Sequence, residues 1–97
     1  RIMFTINQHT NAGFSMTFKN GWTVSVQFGK GNYCFNQFEM ETAKEETKQQ
    51  CQNAEIAAWD NNTNRQYSFN DDTVKGWVNA DEVARFIVEI QRKNPNE

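Results

Sequence analysis

Ninety-seven residues make one domain, 1–97, with room for a single modest core. A net charge of −2 excludes two classes: Lys19, Lys30, Lys44, Lys48 and Lys75 form no basic stripe for nucleic acid, and the carboxylates form no runs like those of a DNA mimic. No apolar run approaches the roughly eighteen residues that a membrane span needs.

The first predicted strand is Ile2 to Ile6, where Ile2, Phe4 and Ile6 alternate with Met3 and Thr5. After a polar connection from Asn7 to Gly13, a second strand puts Phe14, Met16 and Phe18 on one face. A third puts Trp22, Val24, Val26 and Phe28 on one face, with Thr23, Ser25 and Gln27 opposite. The turn between them has a determinable register. A two-residue Asn20-Gly21 loop would set Phe18 across from Thr23 and throw the two apolar faces to opposite sides of the sheet. A three-residue loop, Lys19-Asn20-Gly21, instead pairs Phe18 with Trp22, Met16 with Val24 and Phe14 with Val26, and puts Gly21 in the left-handed position. The three-residue loop is therefore expected.

Next comes Gly29-Lys30-Gly31-Asn32-Tyr33-Cys34, where backbone freedom, a cation, an amide, a ring and a thiol meet. The segment near 41–52 carries a capping box, Thr42-x-x-Glu45, but a thin apolar side, and reads as a short polar helix or a loop. Ala54 to Trp59 is a further strand with Ala54, Ile56 and Ala58 on one side. Asp60 to Arg65 is a polar loop, Gln66 to Asn70 reads as a returning strand, and Val74 to Val78 is short and extended. The last element is a helix. Asn79 is its N-cap, Glu82 completes a capping box, and Val78 can staple onto Val83. Ala80, Val83, Ala84, Ile87 and Ile90, flanked by Phe86, form its apolar stripe, and Pro95 stops it. The expected fold is α+β: an antiparallel sheet of 4–6 strands with one C-terminal helix packed on a face.

Candidate chemistry is sparse. Gly29 and Gly31 permit close backbone approach to a ligand and Lys30 can face a phosphate. The alternative is a tight turn with Lys30 solvated, since no strand–loop–helix phosphate fingerprint follows. Cys34 lacks a neighbouring base: the one histidine, His9, lies in another loop, so an inert buried thiol is expected. Cys34 and Cys51 read as thiols in a reducing cytoplasm rather than as a disulfide. No signal-peptide pattern precedes the first strand, although a chain starting at Arg1 can have lost one. Asp71 and Asp72 match no EF-hand spacing and read as turn residues, Asp81 and Glu82 as helix N-terminal acids, and two Cys with one His cannot fill a zinc site. No catalytic residue, metal or cofactor is assigned. Of the aromatics, Trp22, Phe28, Trp59, Tyr67, Phe69 and Trp77 are expected mostly in the core, while Tyr33, Phe35 and Phe38 fall where the pattern breaks and suit a protein interface or a stacked planar ligand.

The string from Phe18 to Cys34, together with Ala54–Asp60 and Asp72–Val83, resembles blocks of small phage and prophage proteins of mostly unassigned function; small accessory phage proteins of this size often work by binding, and many counter host immunity. The resemblance spans most of the chain apart from the ends and 36–53. It implies a non-catalytic binding protein in the cytoplasm of an infected bacterial host. Two readings stay open: an anti-CRISPR-like inhibitor that occludes a host defence protein, and a sponge that sequesters a nucleotide immune signal. A structural or regulatory phage protein is the third, and an enzyme is not expected. Gly29, Lys30, Gly31, Asn32, Tyr33 and Arg65 are the expected contact residues for either partner. Membrane association and direct nucleic-acid binding are not expected, and the surplus of aromatics favours a homo-oligomer.

Overall fold

The structure is a computed structural model that describes residues 1–7, 12–29, 32–34 and 50–94. The alternating segments form a five-stranded antiparallel sheet in the order β1 (Met3–Ile6), β2 (Ala12–Thr17), β3 (Trp22–Phe28), β4 (Ala54–Asp60) and β5 (Lys75–Val78). One helix, α1 (Ala80–Gln91), follows and lies over β3 and β4. The α+β expectation holds.

The β2–β3 turn has the expected register. Met16 faces Val24 and Phe14 faces Val26. Phe18 donates its N–H to the Trp22 carbonyl at 2.9 Å, Gly21 donates to the Phe18 carbonyl at 3.0 Å, and Gly21 has φ +91°. Keeping the apolar faces on one side selects this turn over the shorter one. The resulting core joins Phe18, Trp22, Val24 and Val26 to Ala54, Ile56, Ala58 and Val78, and is closed by Phe86 and Ile90 of the helix. On the other face, polar groups bond to one another. The Thr17 and Thr23 hydroxyls lie 2.8 Å apart, and the Asn61 amide donates to the Thr23 hydroxyl at 2.7 Å.

The helix begins as its sequence demands. Asn79 Oδ1 accepts from the Glu82 N–H at 2.9 Å, and acidic Asp81 and Glu82 occupy the positive end. The Glu82 carboxylate, however, reaches Lys75 at 3.7 Å, so it serves an ion pair as well as the start of the helix. At the other end Asn20, from the β2–β3 turn, donates its amide to the carbonyls of Ile90 (3.0 Å) and Lys93 (2.9 Å). That contact ties the turn to the C-terminal carbonyls of α1 across most of the chain.

Three expectations are revised. The segment from Gln66 to Asn70 is not a strand: it makes isolated bridges at Gln66 with Trp59 and at Phe69 with Asp72. Asn70 and Asp71 take φ +49° and +74° and turn the chain at once, which leaves Tyr67 and Phe69 to pack on Phe86. Ala80 and Ala84, expected in the helix stripe, are exposed, so Phe86 and Ile90 carry the buried contact with Val83 and Ile87 half-covered. Trp77, counted with the core, is 57% exposed. The possible helix at 41–52 falls almost wholly outside the described residues, as do His9, Phe35, Phe38 and the Pro95 stop. Among the described residues, no helix is long and apolar enough to cross a membrane.

Candidate functional site

β5 pairs with the first half of β4, and its register slips between Ala54↔Val78 and Ile56↔Lys75. Two residues, Gly76 and Trp77, therefore stand opposite Glu55 alone, which is a β-bulge. Trp77 carries the strain of that bulge, with φ +53° in a bulky non-glycine residue. Bulges of this kind re-aim a side chain, and here the indole leaves the sheet and meets Tyr33. The two rings stack with centroids 5.6 Å apart and planes 29° from parallel. Both are solvent-facing, Tyr33 at 47% and Trp77 at 57%.

The loop holding Tyr33 is fastened at each residue that the structure describes. Gly29 has φ +85° and donates its N–H to Cys34 Sγ at 3.2 Å. Asn32 is buried and donates its amide to the Phe28 carbonyl at 2.8 Å, while its own carbonyl accepts from the Cys34 N–H at 2.9 Å. The Cys34 side chain is only 1% exposed. Tyr33 itself is clamped through its backbone: its N–H donates to a Glu55 carboxylate oxygen at 2.6 Å, and its carbonyl accepts from Trp77 N–H at 2.8 Å. Gly76 permits this approach, because a Cβ there would sit 2.4 Å from Tyr33 Cβ and 2.9 Å from its carbonyl oxygen.

The expected contact residues thus divide by role. Tyr33 presents a ring. Gly29 and Asn32 hold the loop and offer no ligand-facing group. Lys30 and Gly31 lie outside the described residues. Arg65 does not join them. It follows the C-terminal end of β4, where its carbonyl accepts from the Asp60 N–H at 2.8 Å, while Tyr33 meets Glu55 at the N-terminal end. A strand of this length separates the two by roughly 15 Å or more.

Sequence reasoning missed Trp77 as a surface residue and Glu55 as the clamp. The signal for the first was a glycine inside a strand pattern, Gly76, which marks a bulge or a close backbone approach. Chemically, the arrangement is a rigid aromatic platform with a carboxylate beside it. Among the described residues, no cluster of His, Cys, Asp or Glu has the geometry to hold a metal ion. No family model matches the chain, and neither a curated protein nor a solved structure matches it, so the reading of this edge rests on its own geometry.

Proposed function

We propose that this chain is a non-catalytic binding protein that engages a protein partner through the Tyr33–Trp77 platform, and that it serves as a phage counter-defence inhibitor of a host immune effector. The observation that carries the binding reading is the stacked, exposed ring pair, with Tyr33 held through its backbone by Glu55 and by Trp77 of β5. Large rings that are already held in place lose little conformational entropy on binding, which is why Tyr and Trp dominate the energetic centres of interfaces. The counter-defence role is carried by the resemblance of the Phe18–Cys34, Ala54–Asp60 and Asp72–Val83 blocks to small phage proteins.

Among the described residues, the same edge supports the nucleotide-sponge alternative less well; Lys30, the expected phosphate-facing cation, lies outside them. A phosphate needs donors and cations, yet the Tyr33 N–H is already given to Glu55, whose negative charge stands beside the rings. Lys75, on the same strand as Trp77, faces Glu82 at 3.7 Å, and Arg65 belongs to the far end of β4.

The test is phage plating on a bacterial host that carries an immune system, with and without this chain expressed. Plating should rise with the chain and fall back with Tyr33→Ala/Trp77→Ala, while the double variant keeps its melting transition. Unchanged plating on defended hosts would sink the counter-defence role, and full activity of the double variant would remove the platform. A thermal-shift panel of cyclic and linear nucleotides decides the alternative: clear stabilisation by one of them would favour the sponge.

A further inference from the structure

The two edges of the sheet are unlike. At β5 the bulge and the Tyr33 carbonyl occupy the outer backbone. Among the described residues β1, Met3–Ile6, pairs only with β2, and its strand carries no charge, proline or bulge, the usual guards of an exposed edge.

The hydrogen-bond phase of β1 follows from its register. Asn7 donates its N–H to the Gly13 carbonyl at 3.1 Å, in line with the Met3↔Thr17 to Ile6↔Phe14 pairing. Alternation then turns the backbone groups of Met3 and Thr5 toward β2, and those of Ile2, Phe4 and Ile6 toward the open edge. The same three residues carry the exposed apolar stripe, at 74%, 68% and 71% exposure. Phe4 and Ile6 lie beside Met16 and Phe14 on the face that α1 covers over β3 and β4, but the stripe reaches past the helix.

We propose that β1 is a self-association edge at which a second copy of this chain adds its own β1 antiparallel, joining the two sheets into one across a two-fold axis at Phe4. A two-fold axis normal to the sheet keeps both helices on the same side, so residues opposite one another must share a face. With Phe4 opposite Phe4 of the copy, Ile2 falls opposite Ile6, and all three pairs are mutual hydrogen-bonded pairs built from the outward-facing backbone. Apolar side chains meet apolar side chains on the uncovered stripe, and Arg1 meets Asn7 rather than another Arg1. The edge is complementary to itself, as a two-fold interface requires. One short strand and three side chains per copy lie at the small end of interface sizes, so the dimer forms in a concentration-dependent way.

Sedimentation of the full chain across a wide concentration range tests this, with circular dichroism and melting to verify folding of each variant. The chain should pass from monomer to dimer. Phe4→Lys, which sets like charges opposite each other at the axis, should hold it monomeric at all concentrations. Phe4→Pro should do the same, because the lost N–H faces the open edge and not β2. As a gain-of-signal measurement, Phe4→Cys should cross-link to a covalent dimer on mild oxidation, since a hydrogen-bonded antiparallel pair spaces Cα atoms by about 5.5 Å, within disulfide reach. Thr5→Cys, which falls opposite Met3, should not. A chain that is monomeric throughout, a dimer indifferent to Phe4→Lys and Phe4→Pro, or equal cross-linking by both cysteine variants would each overturn the proposal.

Discussion

At the scale of single residues, Gly76 and Tyr33 show how close approach rather than turn geometry can demand a glycine. A methyl at Gly76 would meet both Cβ and the carbonyl oxygen of Tyr33, and a carbonyl oxygen in a clamped loop cannot swing aside. Gly76→Ala should therefore cost about 1–3 kcal/mol, the usual range for overpacking, in a denaturant melt. It should also dissolve the Tyr33–Trp77 stack, read as a change in tryptophan fluorescence. Tyr67 offers a second residue-level test. Its hydroxyl donates to Glu89 at 2.7 Å, and that hydrogen bond, with partial burial and the carboxylate charge, holds the phenol pKa above the ordinary tyrosine value. The folded chain thus keeps this proton more tightly than the unfolded one. Its contribution to stability is intact below the ordinary tyrosine range and is lost as pH rises through the raised value. Ultraviolet titration of tyrosinate absorbance should show a late-titrating group that moves to lower pH in Glu89→Gln.

At the scale of elements, the helix is held at both ends and along one ridge. Phe86 meets Tyr67 edge-on at 5.1 Å and Phe69 at 5.3 Å between centroids, and is buried with Ile90. The segment 66–69 covers the helix because it is not spent on a regular strand. Asn20 tethers the C-terminal end of α1, using its amide for two carbonyls while its Oδ1 accepts from Trp22 N–H at 3.0 Å. Asn20→Ala should destabilise the chain by about 1–2 kcal/mol, more than loss of one cap, since a turn and a helix end lose partners together. Asn20→Asp should cost still more, because it sets a negative charge against the carbonyl end of the helix dipole. Equilibrium urea unfolding of the two variants checks both the size and the order.

At the scale of the molecule, protection should grade across the sheet. β3 is central and nearly wholly buried, whereas every described side chain of β1 is exposed. Native-state hydrogen exchange of the dilute chain should find the slowest amides in β3 and the fastest sheet amides at Phe4 and Ile6, which face the open edge. Much of this architecture was legible from local pattern. Period-two alternation marked β1 to β4, and Asn79 with its following acids marked the helix start, because strand faces and caps are local physics. Even the three-residue turn at Lys19–Gly21 was determined by sequence, since only one register keeps Phe14, Met16 and Phe18 with Val26, Val24 and Trp22. What sequence could not settle depended on distant partners. Gln66–Asn70 has strand composition but becomes a cover for Phe86, and Trp77 looks like a core residue until Tyr33, more than forty positions earlier, crowds Gly76 and turns it outward. The separation of Arg65 from Tyr33 at opposite ends of β4 likewise follows only from pairing. Alternation, caps and turn register are written in neighbouring residues. Which faces end up covered, and which side chains meet, is decided by contacts far apart in the chain.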